Sequence, residues 1–198
     1  MSPRTEEQFA SMREKSKELL MDTALQLFSK KGFHSTSISQ ITNEAGVAKG
    51  ILYHYFKSKE ELLVAIIQKG TNELQSLFLE AFKAENPREQ LEQMIRVTVK
   101  AMKEQKLYWQ LFSSLITQMH DNKIIEDILK PLTQQSIILM EGLFSKLGKK
   151  NPKMEAIAIA ALFDGIGLHY LFVMDDYPID EITEFIIEKI LGNQSDTK

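Results

Sequence analysis

Apolar residues recur along this chain at intervals of three and four, the spacing that lines one face of an α-helix. Leu20, Ala24, Leu27 and Phe28 form one such stripe, Ile38, Ile41 and Ala45 a second, and Leu52 with Phe56 a third. No stretch shows sustained period-two alternation of β-branched residues, and no Asn-Gly or Asp-Gly pair signals a hairpin. The pattern predicts an all-α chain of about nine helices. They lie at roughly 13–31, 38–45, 49–55, 59–83, 87–104, 107–120, 122–147, 153–174 and 179–191.

Local chemistry marks the helix ends. Ser37-Ile38-Ser39-Gln40 and Ser58-Lys59-Glu60-Glu61 read as capping boxes, in which the serine oxygen serves a backbone amide and the Gln or Glu reaches back. Asn86 and Asn151 stand before Pro87 and Pro152, a cap residue ahead of proline at the first helical position. Gly32, Gly46 and Gly148 fall where helix C-termini belong, and Pro131 should kink or split the seventh helix.

Composition narrows the class. Of the 198 residues 43% are apolar, which suits a soluble globular protein with a sizeable core. Cysteine is absent, so disulfides and thiolate metal sites are excluded. Glu6 and Glu7, with no apolar run around them, do not read as a signal peptide. The stretch from Ala156 to Met174 is nearly all apolar or small and long enough to span a bilayer. Asp164 near its middle, His169 and the lack of Lys/Arg asymmetry at its flanks argue instead for a helix covered by protein. A cytoplasmic location is expected. The net charge of −3 is unevenly spread. Between Lys30 and Lys59 there are five bases against one acid, whereas nine acids and two lysines lie from Glu155 onward. One end is therefore suited to phosphates.

The first three helices are too short to persist unless they pack on one another. Gly46-Val47-Ala48 joins the second to the third, and a glycine in left-handed conformation would turn the chain sharply there. Two short helices at a steep angle across such a turn make a helix-turn-helix, whose second helix enters the DNA major groove. The run Gly32-Phe33, Thr36-Ser37-Ile38, Ile41, Ala45-Gly46-Val47, Lys49-Gly50-Ile51-Leu52-Tyr53, Tyr55-Phe56, Ser58-Lys59-Glu60 and Leu62 resembles the N-terminal signature of the TetR (tetracycline-repressor) family over residues 13–66.

The resemblance implies an arm at 1–12, a helix-turn-helix domain at 13–58, a connecting helix at 59–83, a helical ligand-binding and dimerisation domain at 84–192 and a tail at 193–198. It also implies a DNA-facing set: Thr36, Ser37, Lys49, Gly50, Tyr53, His54, Tyr55 and Lys59. Gly50 lets the backbone come close to DNA. Lys49 is suited to a phosphate or a guanine edge. Tyr55, Thr36 and Ser37 are expected on phosphates, and Lys59, opening the fourth helix, is expected to hold one together with the helix N-terminus. Tyr53 serves either the groove or the core, His54 either the groove or nothing, and Ile51 a thymine methyl or nothing. Lys57 reads as solvated charge.

The implied protein is a regulator, a repressor by expectation, that binds a palindromic DNA operator as a homodimer and is released by a hydrophobic small molecule. The helices at 153–174 and 179–191 point to the dimer on their own account. The first is apolar almost all round, and the second carries Ile179, Ile182, Ile186 and Ile190 on one stripe. Effector candidates are Trp109, Phe112, Ile116, Met119, His120, Met140, Phe144, Phe163, Asp164, His169 and Tyr170; the competing reading for most is plain core. Asp164 and His169 need partners within an apolar helix, or across a dimer. The histidines (His34, His54, His120, His169) lack metal-ligand spacing, and no catalytic constellation or cofactor loop is visible, so neither enzyme nor metal chemistry is expected. A helical scaffold whose basic end meets a protein or membrane surface is the alternative from another class.

Overall fold

The computed structural model describes residues 6–192; the expected tail and the first five residues of the expected arm lie outside the described residues. Among the described residues nine α-helices follow in chain order: α1 (Glu6–Lys31), α2 (Ile38–Glu44), α3 (Lys49–Tyr55), α4 (Lys59–Ala81), α5 (Pro87–Glu104), α6 (Lys106–Gln118), α7 (Lys123–Lys146), α8 (Pro152–Leu168) and α9 (Ile179–Leu191). A π-helical turn, His169–Val173, continues α8. The described residues contain no strand.

Most ends form for the reasons the sequence suggests. Gly32, Gly46 and Gly148 take φ of 87°, 67° and 72°, left-handed values that cost other residues a clash at Cβ. Ser37 completes its capping box: its side chain accepts from the Gln40 amide at 3.2 Å, and Gln40 accepts the Ser37 amide at 2.7 Å. Asn86 caps α5 through the Glu89 amide at 3.0 Å.

Three expectations change. α1 begins at Glu6, not near residue 13. At α4, Ser58 accepts from Glu61 as expected, but the Glu61 carboxylate takes the amide of Lys57, one residue before the cap. Asn151, with ψ 70°, makes no side-chain cap. Of the two outcomes expected at Pro131, a kink or a split, the split does not occur: α7 is continuous, with the proline exposed at its surface.

The chain divides into two compact units, Met1–Gly70 with Leu111–Glu126 and Thr71–Gln110 with Asp127–Lys198. In the first, α1, α2 and α3 pack around Leu20, Ala24, Phe28, Ile41 and Leu52, each with no exposed surface. Burying the leucine, isoleucine and phenylalanine side chains among these stabilises by roughly 1.5–3 kcal/mol each, which the short α2 and α3 need. Gln118 near the end of α6 donates to the Ser29 carbonyl of α1 at 2.7 Å.

In the second unit a core of Leu91, Met94, Ile95, Leu143, Phe144, Ala156, Ile159 and Ile187 joins α5, α7, α8 and α9. Polar clasps fix α5 against α9: Arg88 on the carbonyls of Leu191 and Gly192, Arg96 on the Glu184 carboxylate, and Lys103 on Asp180 at 2.7 Å. Partner numbers fall on α9 as they rise on α5, so the two helices run antiparallel. Of the isoleucine stripe of α9, Ile179 and Ile186 are buried and Ile182 and Ile190 half-buried within the chain, so much of the stripe serves this unit's own packing. Phe185, 53% exposed, points outward in its place.

The segment expected to be covered by protein is largely uncovered within one chain. Only 22% of the apolar stretch in Pro152–Val173 is buried. Met154, Ile157, Leu162, Leu168, Phe172 and Val173 are exposed.

Candidate nucleic-acid interface

The α2–α3 pair is held by one side and shown by the other. Leu52 is fully buried and Phe56 nearly so. With Leu52 inward, Lys49, Gly50, Tyr53 and His54 lie on the opposite, exposed surface of α3. Tyr53 is 49% exposed, which settles its orientation outward, away from the core. Lys49 stands one turn before it, with Nζ 5.9 Å from the ring centre, at the limit of a cation–π contact. Nothing stands within 4 Å of the place a Cβ would take on Gly50, so its surface is open. Ile51 is also exposed, at 40%. Tyr55 is half-buried, its ring edge-on to His54 at 5.1 Å and tilted against Phe56 at 6.3 Å. Ser37 is exposed at the start of α2.

Two of the residues expected on phosphates have hydrogen-bond partners within the chain. Thr36 is 1% exposed, and its hydroxyl donates to the Gly32 carbonyl at 2.9 Å. A side chain in that position closes the end of α1 and does not face solvent. Lys59 turns back on the loop between α1 and α2, donating to the carbonyls of Phe33 at 2.7 Å and Thr36 at 2.8 Å. Its ammonium also sits 4.4 Å from the centre of the Phe33 ring. The sequence reading missed Phe33 as a partner; the Gly32-Phe33 pair that ends α1 was the available signal.

Residues 20–66 match the model of the "Bacterial regulatory proteins, tetR family". The chain is 30% identical to the transcriptional regulator BetI of Escherichia coli over 164 residues, covering 75% of this chain and 78% of that protein. The chain belongs to the tetR family of bacterial regulatory proteins. It is also 30% identical over 167 residues to YuxN, an uncharacterized regulator of Bacillus subtilis. The match spans 56% of the length of YuxN and 64% of a second Bacillus subtilis relative, YerO. Among solved structures, a TetR-like transcriptional regulator from Rhodococcus superposes with a TM-score of 0.75 at 22% identity, covering 96% of both chains. NalD of Pseudomonas aeruginosa, described as the secondary repressor of the MexAB-OprM multidrug efflux pump, gives 0.72 at 22% identity, covering 91% of this chain and 97% of that one. These two likenesses bear on the fold alone. TetR-family proteins are regulators and not enzymes.

Beyond the helix-turn-helix, the effector candidates of this TetR-family chain fall in both units. In the first unit Phe112 and Met119 are buried, Ile116 is half-buried and His120 is exposed. The Phe112 ring fills the space over Gly70, where a Cβ would meet it at 2.6 Å. His120 contacts the Thr117 carbonyl at 3.1 Å and the Asp121 carboxylate at 3.2 Å. In the second unit Trp109 is buried and donates its indole N–H to the Ala101 carbonyl at 3.1 Å. Met140 and Phe163 pack on the core that holds Phe144, together with Phe78 and Phe82. Those last two escaped the sequence reading, although their four-residue spacing at the end of α4 could have shown them. Tyr170 lies half-buried under the Lys106 ammonium, 4.5 Å from its ring centre. Asp164 and His169 are exposed, the His169 ring lying edge-on to Tyr177 with centres 5.9 Å apart. Partial desolvation nonetheless pushes the Asp164 carboxyl above its usual range.

Proposed function

We propose that this chain is a homodimeric, ligand-responsive transcriptional regulator that binds a palindromic DNA operator through α3 and acts as a repressor. The observation that carries the proposal is the exposed row Lys49, Gly50, Tyr53 and His54 on a short helix braced by a fully buried Leu52. Such a row offers a cation, a close backbone approach and two polar rings to base edges and phosphates, with Ser37 and Tyr55 beside it. In the dimer, two copies of α3 would read half-sites about 34–36 Å apart.

The exposed apolar surface of α8 supports the pairing of two copies, since one chain leaves it in water. A hydrophobic small molecule bound among the helices of the second unit would release DNA by binding the DNA-incompetent state more tightly. The protein would work in the cytoplasm, on the nucleoid when DNA-bound.

Fluorescence anisotropy with the DNA upstream of its own gene tests the reading. Nanomolar, salt-sensitive binding is expected. Lys49→Ala should weaken it about tenfold or more and lower the salt dependence by the contribution of one contact. Tyr55→Phe, which keeps the ring on Phe56, should weaken it severalfold. Equal affinity for random duplex overturns the proposal.

A further inference from the structure

We infer that Lys59 is a positioning residue of the DNA-reading helices, an internal clamp that fixes the α1–α2 loop against the start of α4, and not a phosphate ligand. The inference rests on the DNA-binding reading above.

An ammonium group has three donors and no acceptor. Lys59 aims them at three carbonyls of one loop: Phe33 at 2.7 Å, Thr36 at 2.8 Å and, longer, His34 at 3.5 Å. The carbonyls gather there because Gly32 turns the chain at the end of α1. Phe33 supplies a further surface, its ring facing the same ammonium at 4.4 Å while its edge packs on Phe28 of the core, ring centres 5.0 Å apart. From within, the Thr36 hydroxyl ties the loop back to the Gly32 carbonyl. The loop is thus held from both sides. The next residue, Ser37, opens the capping box of α2. Any shift of the loop therefore displaces α2, and with it α3, which packs on α2.

The surroundings also disfavour a phosphate at this end of α4. Glu60 and Glu61 occupy its first turn, and the Glu61 carboxylate accepts the Lys57 amide at 2.6 Å. The Ser58 hydroxyl already accepts from the Glu61 amide at 3.1 Å. Two carboxylates at a helix N-terminus satisfy its dipole from within and repel an anion. To reach DNA, Lys59 would have to abandon carbonyls at near-optimal distance.

The test compares the wild-type protein with Lys59→Met, Lys59→Arg and Lys49→Ala in operator titrations over a range of salt. Hydrogen exchange across residues 34–42 of the free protein is followed in parallel. Lys59→Met keeps the apolar stem on Phe33 and removes the donors. Operator affinity should fall about tenfold, because a smaller fraction of molecules holds α2 in place. Its salt slope should equal the wild-type slope, while Lys49→Ala lowers that slope by about one. Exchange over 34–42 should quicken, and Lys59→Arg should recover most of both losses. A slope reduced by about one with unchanged exchange would make Lys59 a phosphate ligand and overturn the clamp; so would unchanged affinity together with unchanged exchange. If Lys59→Met does not fold, the Lys59 ammonium resonance of the wild-type protein decides. It should be slowly exchanging and insensitive to added operator, and a shift on adding operator overturns the inference. If the wild-type protein itself shows no operator preference, the DNA reading fails and the exchange measurement alone decides the clamp.

Discussion

α3 and α8 both turn much of their surface to solvent, with opposite chemistry. α3 sinks Leu52 into the core and shows a lysine, a glycine, a tyrosine and a histidine. α8 with its π turn sinks Ala156, Ile159, Ile166 and Leu171, and shows Met154, Ile157, Leu162, Leu168 and Phe172. The first surface is stable in water as it stands, so it can wait for a polar polyanion and release it again. The second leaves apolar area exposed at a cost of about 25 cal/mol for each Å², and gains by being covered permanently. A transient interface and a lasting one can thus be told apart in the free chain by what each leaves exposed.

Two substitutions break this comparison from opposite sides. The largest effect belongs to Leu52→Ala, which empties the buried anchor of a seven-residue helix. It should cost about 2–5 kcal/mol and lower the melting temperature of the first unit by circular dichroism. Operator binding should vanish while sedimentation still reports a dimer. Leu168→Glu acts on a side chain that is 54% exposed in one chain, so the fold and its melting should be little changed. Covered by a second copy, the same glutamate would be an unpaired buried charge, and the dimer dissociation constant should rise about 100-fold by sedimentation velocity. A dimer indifferent to Leu168→Glu would show that α8 pairs with something else.

The same contrast governs what could be read before the structure. The helix-turn-helix was legible almost residue by residue, because its short helices are fixed by local devices: the Ser37 box, the Gly46 turn and an apolar spacing that places Leu52 inward. The intrachain partners of Thr36 and Lys59 were not legible, for a single reason. Sequence shows that a hydroxyl and an ammonium are present near a helix start, but their partners are backbone carbonyls of the loop, and backbone carbonyls have no letter. In α9 the isoleucine stripe was visible, yet the polar clasps of α5 that draw it inward span 77 to 104 positions of chain. Apolar spacing identifies a face to be covered without naming the cover. The effector candidates meet the same difficulty, since aromatic residues at helical spacing line cores and pockets alike.

The smallest of the expected effects sharpens the comparison at one residue. Asp164 lies on the α8 row that includes Ile157, Ala161 and Leu168, all exposed in the single chain. Desolvation already raises its carboxyl above the ordinary value in one chain. A second copy laid over that row would raise it further, because burial disfavours the charged form. The sign follows by linkage. The state with the raised value holds its proton more tightly, so the dimer is favoured as pH falls into the window just above the ordinary carboxylate range. That advantage is lost as pH rises through the raised value. Asp164→Asn removes the charge while keeping the shape. It should tighten the dimer about two- to tenfold at neutral pH and flatten the pH dependence above the ordinary carboxylate range. Sedimentation velocity across that range measures both. If Asp164→Asn dimers were no tighter and kept the wild-type pH dependence, the carboxylate would remain in water in the dimer, and the paired surface would have to lie on the opposite edge of α8, toward Leu162.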